Sequence, residues 1–398
     1  MTLSAPQLGK TRSVACWSIA IALALRGLHW WAAPTYKQVM PGFSTIKAGA
    51  QRSGLLLGTP ITSSGNRSIR LINGSTIQFV SWEKPENLSG PSIRSLVCDE
   101  AHELTTAAWG VLRARRSSTM GPVRLIGNTG DIEGEFKRLC DIAADPQSDW
   151  GFYKWTWMDK YLALGGGKTA AGRAFKEMIE DERTHAPSWQ FKSIWEAEWL
   201  ESELAVFANV DAATSLASNP APVEGMKYII GIDLAETTDY TVMLPITADG
   251  STRDVTFMRR FRRMEYPAVA QIAADLSKAW NDAVCAIEIN GPGRPVYQWL
   301  RKMGVKVYPW TTTSQSKHQA VVDTAGDIEF GRMRLAPLPP LQAEIKSFRR
   351  TRTPSGNYVY KAPQGSHDDT VMALVIGNAC RTIAQRFSGR LQRMRVSG

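Results

Sequence analysis

The sequence has few cysteines and no long apolar stretch, and these shortages exclude several classes of protein. Its five cysteines are odd in number and scattered, and no two have the spacing of metal ligands (Cys16, Cys98, Cys140, Cys285 and Cys380). We therefore expect reduced core cysteines of a cytosolic protein, not a disulfide framework or a zinc site. No apolar run approaches the roughly 20 residues that a membrane span requires, so no membrane partner is expected.

Length and composition predict a globular chain with more than one domain. A chain of 398 residues exceeds one ordinary hydrophobic core, and a hydrophobic content of 43% is typical of globular proteins. The net charge of +10 favours a polyanionic partner, although many solvated surfaces are also basic.

The first residues allow two interpretations. Gln7-Leu-Gly9-Lys10-Thr11 is a tight turn with glycine, lysine and a hydroxyl in phosphate-binding order, and an apolar stretch follows it. As a P-loop, the turn would place Lys10 on the β- and γ-phosphates of ATP and Thr11 on Mg²⁺. The alternative is a signal peptide, since basic residues precede the apolar run and Ala22-Leu-Ala24 resembles a cleavage site. The strands that follow favour the P-loop.

The remainder of residues 1–145 alternates apolar strands and helices, which indicates an α/β domain with a mostly parallel sheet. Strands are predicted at His29–Ala33, Ser95–Cys98 and Val123–Ile126, and Asn73-Gly74 marks a hairpin between two others. A ligand site is expected at the carboxyl edge of such a sheet.

Two of these strands end in residues suited to ATP hydrolysis. Asp99 and Glu100 follow the Ser95 strand, and Asn128 and Thr129 follow the next one. Asp99 would hold Mg²⁺, and Glu100 would polarise the attacking water. Asn128 or Thr129 would sense the γ-phosphate. The sequence thus predicts a site for ATP and Mg²⁺.

The second half begins with three predicted strands, Lys227–Asp233, Tyr240–Thr247 and Arg253–Arg259. A helix at Tyr266–Asn281 and alternating strands and helices follow. Antiparallel strands followed by this alternation are the order of an RNase H-like fold.

Carboxylates occur at the ends of elements throughout this half. Asp233 and Glu288 each end an apolar run, and Asp368 and Asp369 precede the last helix. Brought together, such carboxylates hold two Mg²⁺ or Mn²⁺ ions against a phosphodiester. Asp239 would reach the same cluster or would be a plain turn residue. His367 would orient a phosphate or water, or would simply begin a helix.

These patterns give a domain organisation. We predict a P-loop (RecA/ASCE-like) ATPase core at 1–145, a helical tryptophan-rich subdomain at 146–215, and a linker at 216–225. An RNase H-like nuclease domain at 226–385 and a basic tail at 386–398 complete the chain. The tail would solubilise the chain, dock on a partner or guide DNA.

The ordered set of motifs resembles the large terminase subunits of tailed bacteriophages over nearly the whole chain. The matching segments are Gln7–Thr11, Ala33–Gln38, Leu88–Gly90, Ser95–His102, Gly127–Thr129, Asp233, Glu288–Gly293 and His367–Asp369. The resemblance implies ATP-driven packaging of double-stranded DNA and metal-dependent endonucleolytic cutting. It also implies a portal protein, a small terminase subunit and a ring, usually of five subunits, as partners in the host bacterial cytoplasm. Of the adjacent Asp368 and Asp369, the resemblance favours Asp369 as the main metal ligand, because the family tolerates glycine at the preceding position.

Three features depart from the family pattern. Ser4 stands where a P-loop has glycine, and Pro6 stands where many members have arginine. Only Met1–Leu3 precede Ser4, which leaves open a truncated start or a weakened ATPase. The arginine that assists ATP hydrolysis is also open, with candidates at Arg52, Arg67 and Arg70.

Other functions make different demands on the sequence. A DEAH-type helicase would share Asp99-Glu100-Ala-His102 but would require a second RecA-like domain where the acidic residues lie. A resolvase or transposase would share the nuclease fold without needing an active ATPase domain. A non-catalytic DNA-binding scaffold would need neither acidic set.

Overall fold

The computed structural model describes residues 1–63, 65–200, 204–218, 221–235, 239–291, 293–352 and 358–384. The chain divides into two compact units, Met1–Glu180 with Trp189–Ser202 and Asp181–Ser188 with Glu203–Gly398. The predicted linker at 216–225 falls within the range of the second unit, and Val206, Phe207 and Val210 pack in that unit's core. The predicted basic tail at 386–398 lies outside the described residues.

A seven-stranded sheet forms the centre of the first unit. Its strands are β1 (Thr2–Ser4), β2 (Leu28–Ala33), β3 (Arg67–Arg70), β4 (Thr76–Ser81), β5 (Ser95–Cys98), β6 (Val123–Gly127) and β7 (Tyr153–Trp155). The order is β3-β4-β2-β5-β6-β1-β7, and every pair is parallel except β3 with β4. The predicted mostly parallel sheet and the hairpin at Asn73-Gly74 are therefore confirmed.

Helices occur between these strands and after the last of them in the sequence. They are α1 (Lys10–Ala24), α2 (Met40–Arg52), α3 (Thr106–Ala114), α4 (Glu135–Ala144), α5 (Trp157–Ala163), α6 (Ala170–His185) and α7 (Ser188–Trp195). The apolar stretch weighed as a signal peptide forms α1, and its Val14, Ala15 and Ala22 are buried in the core. This packing fits the helix that follows a P-loop.

The second unit is built around a five-stranded sheet with the order β12-β10-β9-β13-β14. The strands of the unit are β8 (Leu204–Ala205), β9 (Tyr228–Asp233), β10 (Thr241–Thr247), β11 (Arg253–Val255), β12 (Arg259–Phe261), β13 (Val284–Glu288), β14 (Val307–Trp310), β15 (Met333–Leu335), β16 (Arg349–Arg352) and β17 (Tyr358–Lys361). Strands β12, β10 and β9 pair antiparallel, whereas β9, β13 and β14 pair parallel, as predicted.

The prediction of one strand from Arg253 to Arg259 was wrong. Two strands lie there, since β11 pairs with β15 in a separate sheet and β12 pairs with β10. Side chains two residues apart share one face of a straight strand. Here Val255 is buried in one core cluster, while Phe257 stacks on Trp280 in another. The chain must turn between them.

The helices of the second unit are α8 (Val210–Ala213), α9 (Tyr266–Ala279), α10 (Gly293–Lys302), α11 (Ser314–Glu329), α12 (Pro339–Ser347) and α13 (Asp369–Ala379). Helix α13 is almost wholly buried and packs on β9 and β10. Four of the five cysteines are buried, as expected, whereas Cys16 is exposed. In the part of the chain described here, no helix combines the length and apolarity needed to cross a bilayer.

Candidate nucleotide and carboxylate sites

The predicted phosphate-binding turn lies between β1 and α1. Strand β1 pairs with both β6 and β7, so the few residues before the turn form a strand within the sheet. Gln7 and Gly9 have the left-handed φ values of 57° and 84°, and Gly9 is the N-cap of α1. Free backbone N–H groups at such a helix start attract anions. The turn therefore leads into an anion-attracting N-terminus of α1. Lys10 and Thr11 lie in the first turn of this helix.

Lys10 is directed toward the end of β6. Its ammonium hydrogen-bonds to Oδ1 of Asn128, although the side chain is only 7% exposed. Burial lowers the pKa of Lys10, and the nearby carboxylates Glu100 and Asp99 oppose this effect. The structure thus brings together Lys10 at the start of α1, Asp99 and Glu100 after β5, and Asn128 after β6.

Asp99 is the most buried carboxylate of this group. Burial and the neighbouring charge of Glu100 raise the pKa of Asp99 to about 7, against opposing effects that include a hydrogen bond from Thr11. The backbone N–H of Glu100 donates to Oδ1 of Asp99 over 3.0 Å. Glu100 itself has a left-handed φ of 52°, and its carboxylate lies 3.4 Å from Nδ1 of His102. Glu100 therefore has His102 as a side-chain partner, in addition to its charge effect on Asp99.

The remaining ATP-site candidates have other neighbours. The hydroxyl of Thr129 lies 2.9 Å from that of Ser193 in α7. The guanidinium of Arg67 lies over the ring of Phe43 and donates to the carbonyl of Thr62. Arg67 and Arg70 lie on β3, which is an edge strand of the sheet. Four other strands lie between β3 and β1. Arg52 is exposed at the end of α2.

In the second unit, the ends of two adjacent strands carry Asp233 and Glu288. Strands β9 and β13 are parallel with Ile232 opposite Ile287, so the next residue of each strand is acidic. Gly293 lies against this end, since a Cβ atom there would overlap the carbonyl oxygen of Glu288. The two carboxylates therefore share one edge of the sheet.

The start of α13 adds two more carboxylates. Asp368 is the N-cap residue and makes no side-chain capping bond, while Asp369 is 7% exposed. The Oδ2 atom of Asp369 accepts a hydrogen bond of 3.1 Å from the backbone N–H of Tyr240. Burial is the main cause that raises the pKa of Asp369, with the charge of Asp239 contributing.

The other three carboxylates act on the pKa of Asp233. Burial raises its pKa well above the usual value, and the charges of Asp369, Glu288 and Asp368 raise it further, in that order. Lys317, in the first turn of α11, acts in the opposite direction. A cluster of hard oxygen ligands whose charges repel is suited to divalent Mg²⁺ or Mn²⁺.

Asp239 and His367 lie beside this cluster. One ligand atom from each of Asp239, His367 and Asp369 lies within 4.8 Å of the others. The Nδ1 atom of His367 is 3.4 Å from Oδ1 of Asp239 and 3.8 Å from Oδ2 of Asp369. Asp239 and His367 thus lie next to Asp369, the residue whose charge contributes most among the carboxylates to the raised pKa of Asp233.

Sequence reasoning missed several neighbours of this cluster. Tyr240 and Arg262 contact His367, Arg260 lies over the Tyr240 ring, and the charge of Lys317 lowers the pKa of Asp233. The run Arg259-Arg260-Phe-Arg262-Arg263, which begins on β12 and continues beyond it, was a visible signal, since four of its five residues are arginines. Lys317 gave no such signal, because its distance from Asp233 along the chain hides the contact.

Comparison with known proteins matches two segments of the chain to two family models. The family described as "Terminase large subunit, T4likevirus-type, N-terminal" matches residues 1–211, and "Terminase RNaseH-like domain" matches residues 230–377. The second match confirms the predicted RNase H-like fold and lies where a DEAH-type helicase would need a second RecA-like domain.

Relatives and a solved structure cover nearly the whole chain. The large terminase subunits of Thermus phage G20c and Thermus virus P23-45 are each 23% identical to it, over 93% of this chain and 82% of the relative. The solved structure of a large terminase from a thermophilic bacteriophage is 12% identical, with a TM-score of 0.57 over 95% of this chain and 91% of that one. The likeness of fold thus extends through both units.

Proposed function

This chain belongs to the family of terminase large subunits, and from that membership we propose that it is a viral DNA-packaging motor subunit. Its first unit hydrolyses ATP to translocate double-stranded DNA, and its second unit cuts that DNA with a divalent metal. The observation that carries the nuclease is the placement of Asp233 and Glu288 at adjacent ends of β9 and β13, with Asp369 at the start of the helix that packs on β9.

Support for the ATPase comes from opposite charges buried at the start of α1. Lys10 and Asp99 both lose hydration, and a bound phosphate chain with Mg²⁺ would supply each with an opposite charge. Lys10 would bind the phosphate oxygens of ATP, while Thr11 and Asp99 would hold the magnesium ion. The backbone turn at Gln7 and Gly9 would surround the phosphates.

Proton transfer in the ATPase falls to Glu100. Its carboxylate lies 3.4 Å from Nδ1 of His102, and burial raises its pKa. A carboxylate of this kind orients the attacking water and accepts its proton. Asn128 already contacts Lys10 and is placed to sense the γ-phosphate, whereas Thr129 would have to leave Ser193 to do so.

In the nuclease, the carboxylates would hold two Mg²⁺ or Mn²⁺ ions through Asp233, Glu288 and Asp369, with Asp368 and Asp239 at the margin. When bound, such ions polarise a phosphodiester and supply a hydroxide nucleophile. The chain's own contribution is to fix the ligand oxygens. The N–H of Tyr240 orients Asp369, and the close contact of Gly293 with Glu288 fixes the end of β13.

We also propose the partners that a packaging motor requires. These are double-stranded DNA, the portal protein of the procapsid, a small terminase subunit and further copies of this chain, forming a ring of five. The site of action is the host bacterial cytoplasm and, transiently, the portal vertex. Family membership supports these partners, and the net charge of +10 fits the DNA.

The test uses the purified chain of 398 residues with supercoiled plasmid. We expect nicking and linearisation in Mg²⁺ or Mn²⁺, arrest by EDTA, and ATP hydrolysis that DNA stimulates. Cleavage that persists in EDTA would contradict the metal-dependent nuclease. Absence of ATP hydrolysis under all conditions would contradict the motor.

A further inference from the structure

The first turn of α13 is capped by a residue from another helix. Asp368 is the N-cap residue of α13, but its side chain makes no capping bond. The backbone N–H of Thr370 belongs to the N–H groups at a helix start that have no partner within the helix, and it donates to Oε2 of Glu344 over 2.8 Å. Glu344 lies in α12. Helix α12 therefore supplies the acceptor that an aspartate at the N-cap usually provides.

Glu344 is buried, and both of its carboxylate oxygens accept hydrogen bonds. Only 7% of the residue is exposed. Oε2 also accepts from the hydroxyl of Thr370 over 2.5 Å, and Oε1 accepts from the guanidinium of Arg260 over 2.9 Å. A carboxylate is tolerated in such surroundings when donors and an opposite charge surround it. These three donors therefore hold the Glu344 side chain in one position against the start of α13.

The same network reaches Asp369 by a second route. The Cζ atom of Arg260 lies 3.4 Å from the centroid of the Tyr240 ring. The backbone N–H of Tyr240 donates to Oδ2 of Asp369 over 3.1 Å. Glu344 is thus connected to the residue that follows Asp369 and, through Arg260, to the residue that hydrogen-bonds to Asp369.

We propose that Glu344 is a positioning residue of the carboxylate site, which caps α13 so that Asp368 and Asp369 do not. An aspartate that caps its own helix turns an oxygen toward the backbone N–H groups, and that oxygen is then less available to a cation. With Glu344 in this role, both aspartates keep their oxygens for divalent ions. The consequence for metal binding rests on the proposed nuclease function, whereas the capping does not.

The first variant is Glu344→Gln, which changes the volume little. An amide has one oxygen where the carboxylate has two, and its NH₂ group must face either Arg260 or Thr370, which are both donors. The N–H groups of the first turn can then draw in an oxygen of Asp368 instead.

The first measurement is the affinity of the nucleotide-free chain for Mn²⁺, followed by electron paramagnetic resonance. Asp233→Asn identifies the part of the binding that belongs to the carboxylate site. We expect Glu344→Gln to weaken this binding by about tenfold or more, since residues that orient metal ligands typically contribute roughly 10- to 100-fold.

The matched control is Asp254→Asn in the same unit. Asp254 accepts from both Nε and an Nη atom of Arg334, over 2.8 Å and 2.7 Å. Its backbone N–H bonds to Thr247, at the end of β10 that is remote from Asp233. The substitution breaks a carboxylate–arginine pair without touching α12 or α13, so the affinity for Mn²⁺ should stay that of the wild type. An equal affinity in Glu344→Gln would overturn the proposal.

Hydrogen exchange observes the cap itself without any metal. The backbone N–H of Thr370 should exchange roughly tenfold faster or more in Glu344→Gln than in the wild type, as expected for loss of a hydrogen bond to a charged group. Asp254→Asn should leave this rate unchanged. Equal protection of the Thr370 N–H in all three proteins would overturn the proposal.

The dependence of DNA cleavage on Mg²⁺ separates positioning from a loss of stability. Glu344→Gln should require roughly tenfold more Mg²⁺ for half-maximal cleavage and should approach the wild-type rate when Mg²⁺ saturates. A lower rate with the same half-maximal Mg²⁺ concentration would show that Glu344 only stabilises the fold, and would overturn the proposal.

A second pair of variants decides the question if Glu344→Gln does not fold. Thr370→Val removes the hydroxyl that donates to Glu344, whereas Thr370→Ser keeps it. We expect the valine variant to bind Mn²⁺ about fivefold more weakly than the serine variant. Equal affinities would overturn the proposal. If the wild type binds no Mn²⁺, the proposed nuclease fails, while the exchange of the Thr370 N–H in these variants still decides the capping.

Discussion

A Cβ atom on Gly231 would overlap the carbonyl oxygen of Ala373, so α13 rests directly on β9. Gly231 precedes Asp233 by two residues, and Asp369 begins the helix that contains Ala373. Gly377 makes a second close approach to the same strand. The contact sets how near the strand carboxylate and the helix carboxylate lie to each other.

Gly231→Ala should therefore displace α13. Overpacking of this kind typically costs about 1–3 kcal/mol of stability, and the clash here is with backbone that cannot rotate away. We expect a lower melting temperature and strongly reduced DNA cleavage, with ATP hydrolysis in the first unit unchanged. Gly110→Ala, whose new Cβ would meet no atom within 4 Å, is the control. Normal cleavage by Gly231→Ala would show that the close contact does not fix the site.

The two adjacent aspartates should differ in importance. Asp369 is buried and accepts a hydrogen bond from Tyr240, whereas Asp368 is partly exposed and makes no capping bond. Asp369→Asn should abolish metal-dependent cleavage, and Asp368→Asn should reduce it less. Rates measured over a range of Mg²⁺ concentrations check this order. Equal losses would contradict a dominant role for Asp369.

The sequence predicted the ends of elements better than the contacts between them. Asp233 and Glu288 follow apolar runs, so their place at strand ends was visible, and Asn73-Gly74 marked its hairpin. The break between β11 and β12 was not visible in the sequence. It arises because Val255 and Phe257 pack into two different hydrophobic clusters.

The surroundings of His367 were hidden for a similar reason. Arg262 is 105 residues away along the chain, and local patterns carry no information about contacts at that distance. The seating of α13 on Gly231 likewise depends on how two elements pack. Residue types therefore predicted the chemistry of the site, while its orientation required the fold.

The stability of the nucleotide-free chain should depend on pH through Asp99. Its pKa is raised from 3.8 to about 7, with burial as the main cause. Between these values the folded chain keeps a proton that the unfolded chain has lost, so the free energy of unfolding falls as pH rises through this range. The full effect corresponds to about 4 kcal/mol.

Asp99→Asn removes this dependence. We expect the melting temperature of the variant to exceed that of the wild type by more at about pH 8 than at about pH 5, since these values lie on either side of the raised pKa. Asp149→Asn, which removes an exposed carboxylate of the same unit, controls for the loss of one charge. A difference between wild type and Asp99→Asn that stays constant over this range would contradict the assignment.

The central claim is that one chain carries two separate magnesium-dependent activities. The most direct test disables one site at a time and measures both activities in each variant. Lys10→Ala and Asp233→Asn, prepared alongside the wild type, are each assayed for DNA-stimulated ATP hydrolysis and for plasmid nicking. We predict that Lys10→Ala loses ATP hydrolysis and retains nicking, and that Asp233→Asn does the reverse. Loss of both activities in either folded variant, or loss of neither, would contradict the account.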